Sequence, residues 1–242
     1  MTPAPRERII VALDTPSVER ARDIVRQISA GHVGLVKVGL ELFTSQGPRV
    51  LGELRDAGAR VFCDLKLHDI PNTVAAAVRA LARRRAAMLT LHASGGRSML
   101  EAARKAADEF EPGDRPTLLG VTILTSLAAD DLEEIGFSRP PPEQVVALAE
   151  ICRRAGLDGV VAAVAEAALI KEALGQDFLV VTPGIRPKGS GAGDQRRTAT
   201  PAQAISSGAD YIVVGRPITE APDPARAMEQ IAAEITEALE SR

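Results

Sequence analysis

The sequence predicts a (β/α)8 barrel, also called a TIM barrel, as a single domain over residues 1–242. The chain has 242 residues, of which 45% are hydrophobic and 25% charged, so it is long enough to build one large core. Short apolar runs alternate with amphipathic helical patterns about eight times, and polar residues recur where the runs end. We therefore expect a closed parallel barrel with its functional site at the carboxyl ends of the strands.

The apolar runs account for all the strands of such a barrel. Each run is short, rich in β-forming residues and bounded by polar or glycine-containing segments. The predicted strands cover residues 8–13, 35–39, 60–66, 88–92, 118–124, 159–164, 178–182 and 211–215. An open doubly wound sheet is the alternative, but no Gly-x-Gly-x-x-Gly follows the first run, where the dinucleotide-binding form of that sheet requires it.

Helix start signals lie between these runs. Ser17 is a candidate N-cap, Pro71 opens a helix over residues 74–85, and Pro224 opens a final helix over residues 225–239. Because helices separate consecutive strands, neighbouring strands pair in parallel through right-handed crossovers.

Composition argues against several classes of function. The formal net charge is −3 and the chain has only five Phe and one Tyr, so it lacks the basic surface and the stacking side chains of a nucleic-acid-binding protein. No apolar run approaches the ~20 residues of a membrane-spanning helix, and the first residues do not resemble a signal peptide. The two cysteines, Cys63 and Cys152, are typical of small buried hydrophobic side chains in a reducing compartment, so we expect a cytoplasmic protein.

The most informative charges close the third predicted strand. Side chains alternate along a strand, so Asp64 and Lys66 share a face with Phe62 and emerge together at the carboxyl end. Asp69 follows in the loop, where it either completes a carboxylate–ammonium–carboxylate array or reaches another subunit. An ordinary surface ion pair is the simpler interpretation, but ionisable residues at most strand ends favour a functional array.

Lys37 and Asp14 add charges at the ends of the second and first strands. Lys37 has apolar neighbours on both sides, so its ammonium group needs a carboxylate, and Asp14 and Asp64 are the candidates. Asp14 is suited to bind a ribose hydroxyl, or alternatively to cap the helix that begins near Ser17. These charges predict one polar site on this side of the barrel.

The histidines do not predict a metal site. His32 lies in a turn, His68 in the loop after the third strand, and His92 at the end of the fourth strand, with no pair at the spacing of metal ligands. We expect His68 to support its neighbours by hydrogen bonds and His92 to be a rim residue.

A glycine-rich, basic segment follows the seventh strand, over residues 182–197. A loop of this length in a compact barrel is typical of a functional lid, with a disordered surface loop as the alternative. Barrels commonly bind phosphate after strands seven and eight. Gly215 permits close approach of a phosphate to the backbone, and Arg186 and Arg216 are suited to pair with its oxygens. The sequence therefore predicts a phosphorylated substrate, held opposite the Asp/Lys array.

The segment after the third strand resembles the signature of the orotidine 5'-phosphate decarboxylase family, in the form Asp64-x-Lys66-x-x-Asp69-Ile70-Pro71-Asn72-Thr73. Further landmarks of that family occur in order over nearly the whole chain. They are Val11-Ala12-Leu13-Asp14, Lys37-Val38-Gly39, His92-Ala93-Ser94-Gly95-Gly96, Val121-Thr122-x-Leu124-Thr125-Ser126, Thr182-Pro183-Gly184-Ile185-Arg186-Pro187 and Val214-Gly215-Arg216-Pro217-Ile218. A single Asp-x-Lys-x-x-Asp is a weak signal, whereas this ordered series is specific.

The resemblance implies a decarboxylase that makes UMP in the last step of pyrimidine nucleotide synthesis, without a cofactor or a metal. It implies that Lys66 protonates the ring carbon that loses carbon dioxide, and that Asp64 lies beside the substrate carboxylate. Lys37 and Asp69 complete the alternating charge array in this scheme. The resemblance also implies a homodimer, in which the partner subunit contributes to each site the residues Asp69, Ile70 and Thr73.

The resemblance implies substrate contacts as well. Asp14 is expected to bind the ribose hydroxyls, and Thr125 or Ser126 to face the pyrimidine edge. The set is completed by Pro183, Arg186, Gln195, Gly215 and Arg216, of which all but Pro183 are expected to hold the phosphate or close the lid. Two stretches, 162–164 and 83–87, depart from the usual family pattern; because neither holds an expected catalytic position, we expect them to affect only local packing.

Two alternatives stay open at this point. Related phosphate-binding barrels with the same Asp-x-Lys-x-x-Asp core include magnesium-dependent sugar-phosphate decarboxylases and aldolases. They fit less well, because the segment 70–73 and the long lid are typical of the nucleotide enzyme. A catalytically silent phosphometabolite-binding barrel is the second alternative, and the intact charge array argues against it.

Overall fold

The computed structural model describes residues 3–29, 34–187 and 198–241. These residues form a closed barrel in which parallel strands pair in sequence order and the last strand returns to the first. The strands are β1 (Ile9–Ala12), β2 (Gly34–Val38), β3 (Ala59–Leu67), β4 (Met88–His92), β5 (Thr117–Val121), β6 (Gly159–Val161), β7 (Leu179–Thr182) and β8 (Tyr211–Val214). The predicted (β/α)8 barrel is therefore confirmed, and the predictions for His32 and Gln195 lie outside the described residues.

Helices surround the barrel. Within the described residues they are α1 (Val18–Ile28), α2 (Leu40–Gln46), α3 (Arg49–Asp56), α4 (Pro71–Ala82), α5 (Arg97–Ala107), α6 (Ala129–Glu134), α7 (Pro141–Arg154), α8 (Val164–Leu174), α9 (Pro201–Ser206), α10 (Arg216–Thr219) and α11 (Pro224–Glu240). The hydroxyl of Ser17 accepts the Arg20 N–H at 3.2 Å, so Ser17 caps α1 as predicted. In these parts of the chain, no helix has the length and apolar character needed to cross a membrane.

Three predicted elements were placed wrongly by three residues. The fifth and sixth strands end at Val121 and Val161 rather than at residues 124 and 164, and α4 covers Pro71–Ala82 rather than 74–85. The apolar runs continue beyond the two strands because Leu124 and Ala162 line a cavity. Helix α4 ends early because the chain turns sharply after it, where Arg85 has a left-handed φ of 57°.

Two apolar layers hold the barrel together. The outward faces of the strands pack under the helices in one continuous cluster that includes Val61 and Cys63 of β3. The inward faces form a smaller cluster, which consists of Ile10, Ala12, Leu35, Phe62, Met88, Leu119, Val181 and Val213. Phe62 lies on the inward face, as strand alternation predicts, and this layer closes the barrel beneath the carboxyl ends of the strands.

Both thiols belong to the buried structure. Cys63 in β3 and Cys152 in α7 are free of disulfides. Burial raises the pKa of each thiol to about 12. Both side chains therefore stay protonated and act as small hydrophobic groups, as expected from the sequence.

A buried ion pair braces the amino-terminal end of the barrel. Lys171 Nζ in α8 lies 2.7 Å from Asp210 Oδ2, just before β8, and donates to the carbonyls of Gln176 and Phe178 at 2.9 Å each. The same carboxylate oxygen accepts the Val180 N–H of β7 at 2.8 Å. Only 6% of the Lys171 side chain is exposed. Because each partner satisfies the other away from water, removing one leaves an uncompensated charge.

We expect Lys171→Met to lower the free energy of unfolding by about 3–5 kcal/mol, because it leaves the Asp210 carboxylate without its cation. Lys105→Met, on the exposed side of α5, makes the same chemical change at the surface and is expected to cost no more than about 0.5 kcal/mol. Guanidinium denaturation followed by circular dichroism measures both values. Equal midpoints for the two variants would contradict the bracing role.

Candidate active site

A cavity of about 410 Å³ opens at the carboxyl ends of the strands. This volume is in the range of small-molecule sites, ~300–1,000 Å³. The lining comes from most strands of the barrel. Its charged members are Asp14, Lys37, Asp64, Lys66, Arg186, Arg216 and Glu220. The ionisable residues predicted at the strand ends thus meet around one space, apart from Asp69 and His92.

Alternating charges run across one side of the cavity, from β1 to β3. Lys37 Nζ lies 3.2 Å from Asp14 Oδ1 and 3.8 Å from Asp64 Oδ2. Lys66 Nζ lies 3.0 Å from Asp64 Oδ1. We call this chain of four side chains, Asp14–Lys37–Asp64–Lys66, the charge array. Lys37 therefore bridges both of the carboxylates proposed for it from the sequence.

The centre of the charge array is largely buried, unlike a surface ion pair. The side chains of Lys37 and Asp64 are 13% and 14% exposed, whereas Asp14 is 64% exposed. Two carboxylates offset two ammonium groups, so the ions are taken out of water in compensated pairs. The arrangement holds the Lys66 ammonium at the cavity with a carboxylate fixed on one side of it.

An irregularity in β3 delivers Lys66 to this position. Pairing with β4 runs from Cys63 opposite Leu89 to Leu67 opposite Leu91, so three residues of β3 face the single residue Thr90. Lys66 has a left-handed φ of 51°, which is uncommon for a residue other than glycine. Asp64 and Lys66 do converge as strand alternation predicts, but through a bulge rather than a regular strand.

Asp69 lies outside the charge array of its own chain. Its carboxylate accepts the Ile70 N–H at 2.6 Å, and it forms no ion pair with any other residue that the structure describes. The predicted contact with Lys66 within one subunit is therefore absent. Ile70 is 66% exposed and Thr73 is exposed as well, so this segment presents an apolar and polar surface beside the cavity.

Two arginines line the cavity at the ends of β7 and β8. Arg186 follows β7 and Arg216 follows β8, and both line the cavity together with Pro183 and Gly215. Burial, and then the positive charge of Arg216, lower the pKa of Arg186 below its ordinary value. Two guanidinium groups held this close favour an anion between them.

The pyrimidine-facing candidates separate in the structure. Thr125 lines the cavity, while Ser126 is exposed and does not. Apolar lining on this side comes from Ile123, Leu124 and Ala162. Since Ala162 lies in one of the stretches that departs from the usual family pattern, that departure reaches the cavity and not only the packing expected from the sequence.

The two described histidines stack beside the charge array. The ring centroids of His68 and His92 lie 5.4 Å apart at 36°. Burial is the main cause that lowers the pKa of His92, and the nearby charges of His68 and Lys66 add to it. Among the described residues, no three His, Cys, Asp or Glu side chains gather as a metal site.

Sequence reasoning missed two residues at the site. Thr90, in β4, bonds both Asp64 and the backbone of Lys66, at 2.9 Å each. Glu220, just after α10, adds a carboxylate to the arginine side of the cavity. Thr90 carries no signal of its own, because threonine is an ordinary strand residue; its inward direction could have been read from its place two residues before His92.

Known proteins are similar to this chain in both sequence and fold. A sequence profile described as the orotidine 5'-phosphate decarboxylase / HUMPS family matches residues 7–231. The protein named orotidine 5'-phosphate decarboxylase from Moorella thermoacetica is 50% identical, over 95% of this chain and 92% of its own. The protein of the same name from Photobacterium profundum is 49% identical, over 93% and 96%.

The structural similarity agrees with these relatives. The crystal structure of orotidine 5'-phosphate decarboxylase from Lactobacillus acidophilus matches with a TM-score of 0.85 and 41% identity, over 95% of this chain and 99% of that chain. The sequence profile spans most of the chain, and the relatives match it nearly end to end. The chain therefore belongs to the orotidine 5'-phosphate decarboxylase / HUMPS family.

Proposed function

We propose that this protein decarboxylates orotidine 5'-phosphate to UMP and carbon dioxide, the final step of pyrimidine nucleotide synthesis. The observation that carries the proposal is one cavity that is lined by the charge array and by Arg186 and Arg216. Asp64 and Lys66 are suited to the reacting carboxylate, and the two arginines to the phosphate. The names of relatives that match nearly the whole chain support the same substrate.

The chemistry follows from the charges at the reacting end. Loss of carbon dioxide breaks the bond between the ring carbon and its carboxylate and leaves an electron pair in the ring plane. In the proposal the Lys66 ammonium stabilises this carbanion and then transfers a proton to it. Asp64 keeps a negative charge beside the substrate carboxylate, and decarboxylation removes the repulsion between them.

One lysine does not supply the whole rate enhancement. A unit charge pair at about 4 Å and an effective dielectric constant near 20 is worth roughly 4 kcal/mol, or about a thousandfold in rate. The remainder is proposed to come from an array that is already oriented before the substrate binds, and from phosphate binding energy spent on closing the site. Lys37 and Asp14 contribute to the first effect by holding Asp64 in place.

The other end of the substrate is assigned to phosphate-binding residues. Arg186 and Arg216 supply charge-assisted hydrogen bonds, Gly215 gives access to the backbone, and Gln195 belongs to the proposed lid. Asp14 is proposed to accept the ribose hydroxyls. Thr125, which lines the cavity, is preferred over Ser126 for the pyrimidine edge.

We propose a homodimer in which each cavity is completed by the partner subunit. The support is the segment 69–73: its Asp69 forms no ion pair within the described part of its own chain, and its Ile70 is 66% exposed. A partner chain that covers Ile70 would remove this apolar surface from water. In the dimer the partner's segment would bring a second carboxylate to Lys66.

No cofactor or metal takes part in the proposed reaction. The magnesium-dependent sugar-phosphate enzymes remain the alternative within the same group of barrels, and resistance of turnover to a chelator separates the two. A cytoplasmic location is part of the proposal, and the two free buried thiols are consistent with a reducing compartment.

We expect Lys66→Ala to abolish turnover of orotidine 5'-phosphate while UMP binding and the melting temperature stay close to wild type, because Lys66 is the proposed proton donor. Lys105→Ala removes the same charge at an exposed site and serves as the control. Loss of near-ultraviolet absorbance of the substrate reports turnover. Activity of Lys66→Ala near that of Lys105→Ala would sink the assignment.

We expect Arg216→Ala to lower kcat/KM for orotidine 5'-phosphate by roughly 10- to 150-fold, since a charge-assisted hydrogen bond is worth ~1.5–3 kcal/mol. The variant should leave the rate with orotidine, which has no phosphate, unchanged. Arg226→Ala, on the exposed side of α11, is the matched control. Equal losses with both substrates would refute the phosphate role.

A mixing experiment tests the shared site. Lys66→Ala and Asp69→Ala are each expected to be inactive as homodimers. In a heterodimer, one of the two sites contains both wild-type residues. Random reassociation of equal amounts therefore restores about a quarter of wild-type activity under two-fold symmetry. Mixtures that stay inactive, although exchange of subunits is demonstrated, would contradict a site built from two chains.

A further inference from the structure

Thr90 occupies the centre of the contact between β3 and β4. Its side chain points into the barrel, and the residue is only 1% exposed. The hydroxyl donates to Asp64 Oδ1 at 2.9 Å and accepts the backbone N–H of Lys66 at 2.9 Å. The one proton and one of the lone pairs of this hydroxyl are thus directed at the two residues proposed for the chemistry.

The bulge explains why this hydroxyl is needed. Thr90 is the single β4 residue that faces the three bulged residues of β3, so the regular ladder is interrupted there. The Lys66 N–H donates to the Thr90 side chain at this point. Lys66 also has a left-handed φ of 51°, a conformation that persists only when its surroundings hold it.

The same hydroxyl orients the carboxylate. Asp64 Oδ1 accepts both Thr90 Oγ1 and Lys66 Nζ, at 2.9 and 3.0 Å, which leaves Oδ2 to face Lys37 at 3.8 Å. The plane of the Asp64 carboxylate is therefore fixed by the neutral Thr90 hydroxyl and, at the cavity, by the ammonium groups of Lys37 and Lys66. Thr90 does not itself line the cavity, so it acts on the substrate only through other residues.

We propose that Thr90 is a positioning residue, whose hydroxyl holds the Lys66 backbone and the Asp64 carboxylate in a single arrangement for proton transfer. This inference rests on the proposed function for its kinetic consequence, but its geometric content stands apart from the reaction. Because a misplacement of about 1 Å costs up to roughly 100-fold in rate, loss of this anchor is expected to reduce the chemical step.

Two substitutions at Thr90 separate the effect of the hydroxyl group from the effect of the side chain's volume and branching. Thr90→Val keeps the volume and the β-branching but removes both hydrogen bonds, whereas Thr90→Ser keeps them. Thr122→Val is the matched control, since Thr122 is 5% exposed and its hydroxyl donates to the Val161 carbonyl at 3.1 Å. All three variants and the wild type are compared as full-length protein, by kcat, by affinity for UMP and by melting temperature.

We expect Thr90→Val to lower kcat for orotidine 5'-phosphate by roughly 30-fold with the affinity for UMP unchanged, because the step lost is orientation for chemistry and not binding. Thr90→Ser should restore most of kcat. Thr122→Val should lower the melting temperature as much as Thr90→Val does, with kcat unchanged. A crystal structure of Thr90→Val should show Lys66 released from its positive φ.

Results that contradict the role of Thr90 differ from results that contradict the proposed function. Unchanged kcat in Thr90→Val, or equal losses of kcat in Thr90→Val and Thr122→Val, would overturn the positioning role while the decarboxylase assignment stands. No turnover by the folded wild type would overturn the proposed function. In that case the crystal structure still decides the geometric content, which is refuted if Lys66 and Asp64 keep their arrangement without the hydroxyl.

Discussion

The contact between Asp64 and Lys66 is the interaction on which the site depends. Both residues lie at the end of one strand and are held from both neighbouring strands: Lys37 of β2 faces the carboxylate, and Thr90 of β4 bonds both residues. An ammonium group fixed beside a carboxylate keeps its direction without solvent reorganisation. The bulge and the left-handed backbone at Lys66 cost free energy, and contacts among three adjacent strands of the barrel offset that cost.

The barrel brings two differently charged groups of side chains to one cavity. Parallel strands in sequence order bring all carboxyl ends to one face, so residues that follow β1–β3 and β7–β8 line a single cavity. The charge array comes from the first group of strands and the arginines from the second. A substrate with an acidic reacting group and a phosphate matches these two groups of side chains, and its remote phosphate offers binding energy that closure of the site would use.

Sequence patterns gave much of this arrangement for physical reasons. Apolar runs and helix signals fixed the barrel, and the rule that charges at strand ends meet brought Asp14, Lys37, Asp64 and Lys66 together. The patterns failed where tertiary contacts decide. Apolar residues that face the cavity resemble strand residues, which lengthened two predicted strands. A bulge and a buried hydroxyl leave no mark in hydrophobic periodicity, so the role of Thr90 emerged only from its contacts. Asp69 forms no ion pair within the described residues, and its proposed partner on a second chain is outside what patterns in one sequence predict.

We expect the charge array and the arginines together to decarboxylate orotidine 5'-phosphate without a metal. The simplest test follows the near-ultraviolet absorbance of orotidine 5'-phosphate after purified protein is added in the presence of EDTA. We expect rapid conversion to UMP at a rate that EDTA does not change. No conversion by folded protein, or conversion only after Mg²⁺ is restored in excess of the chelator, would contradict this expectation.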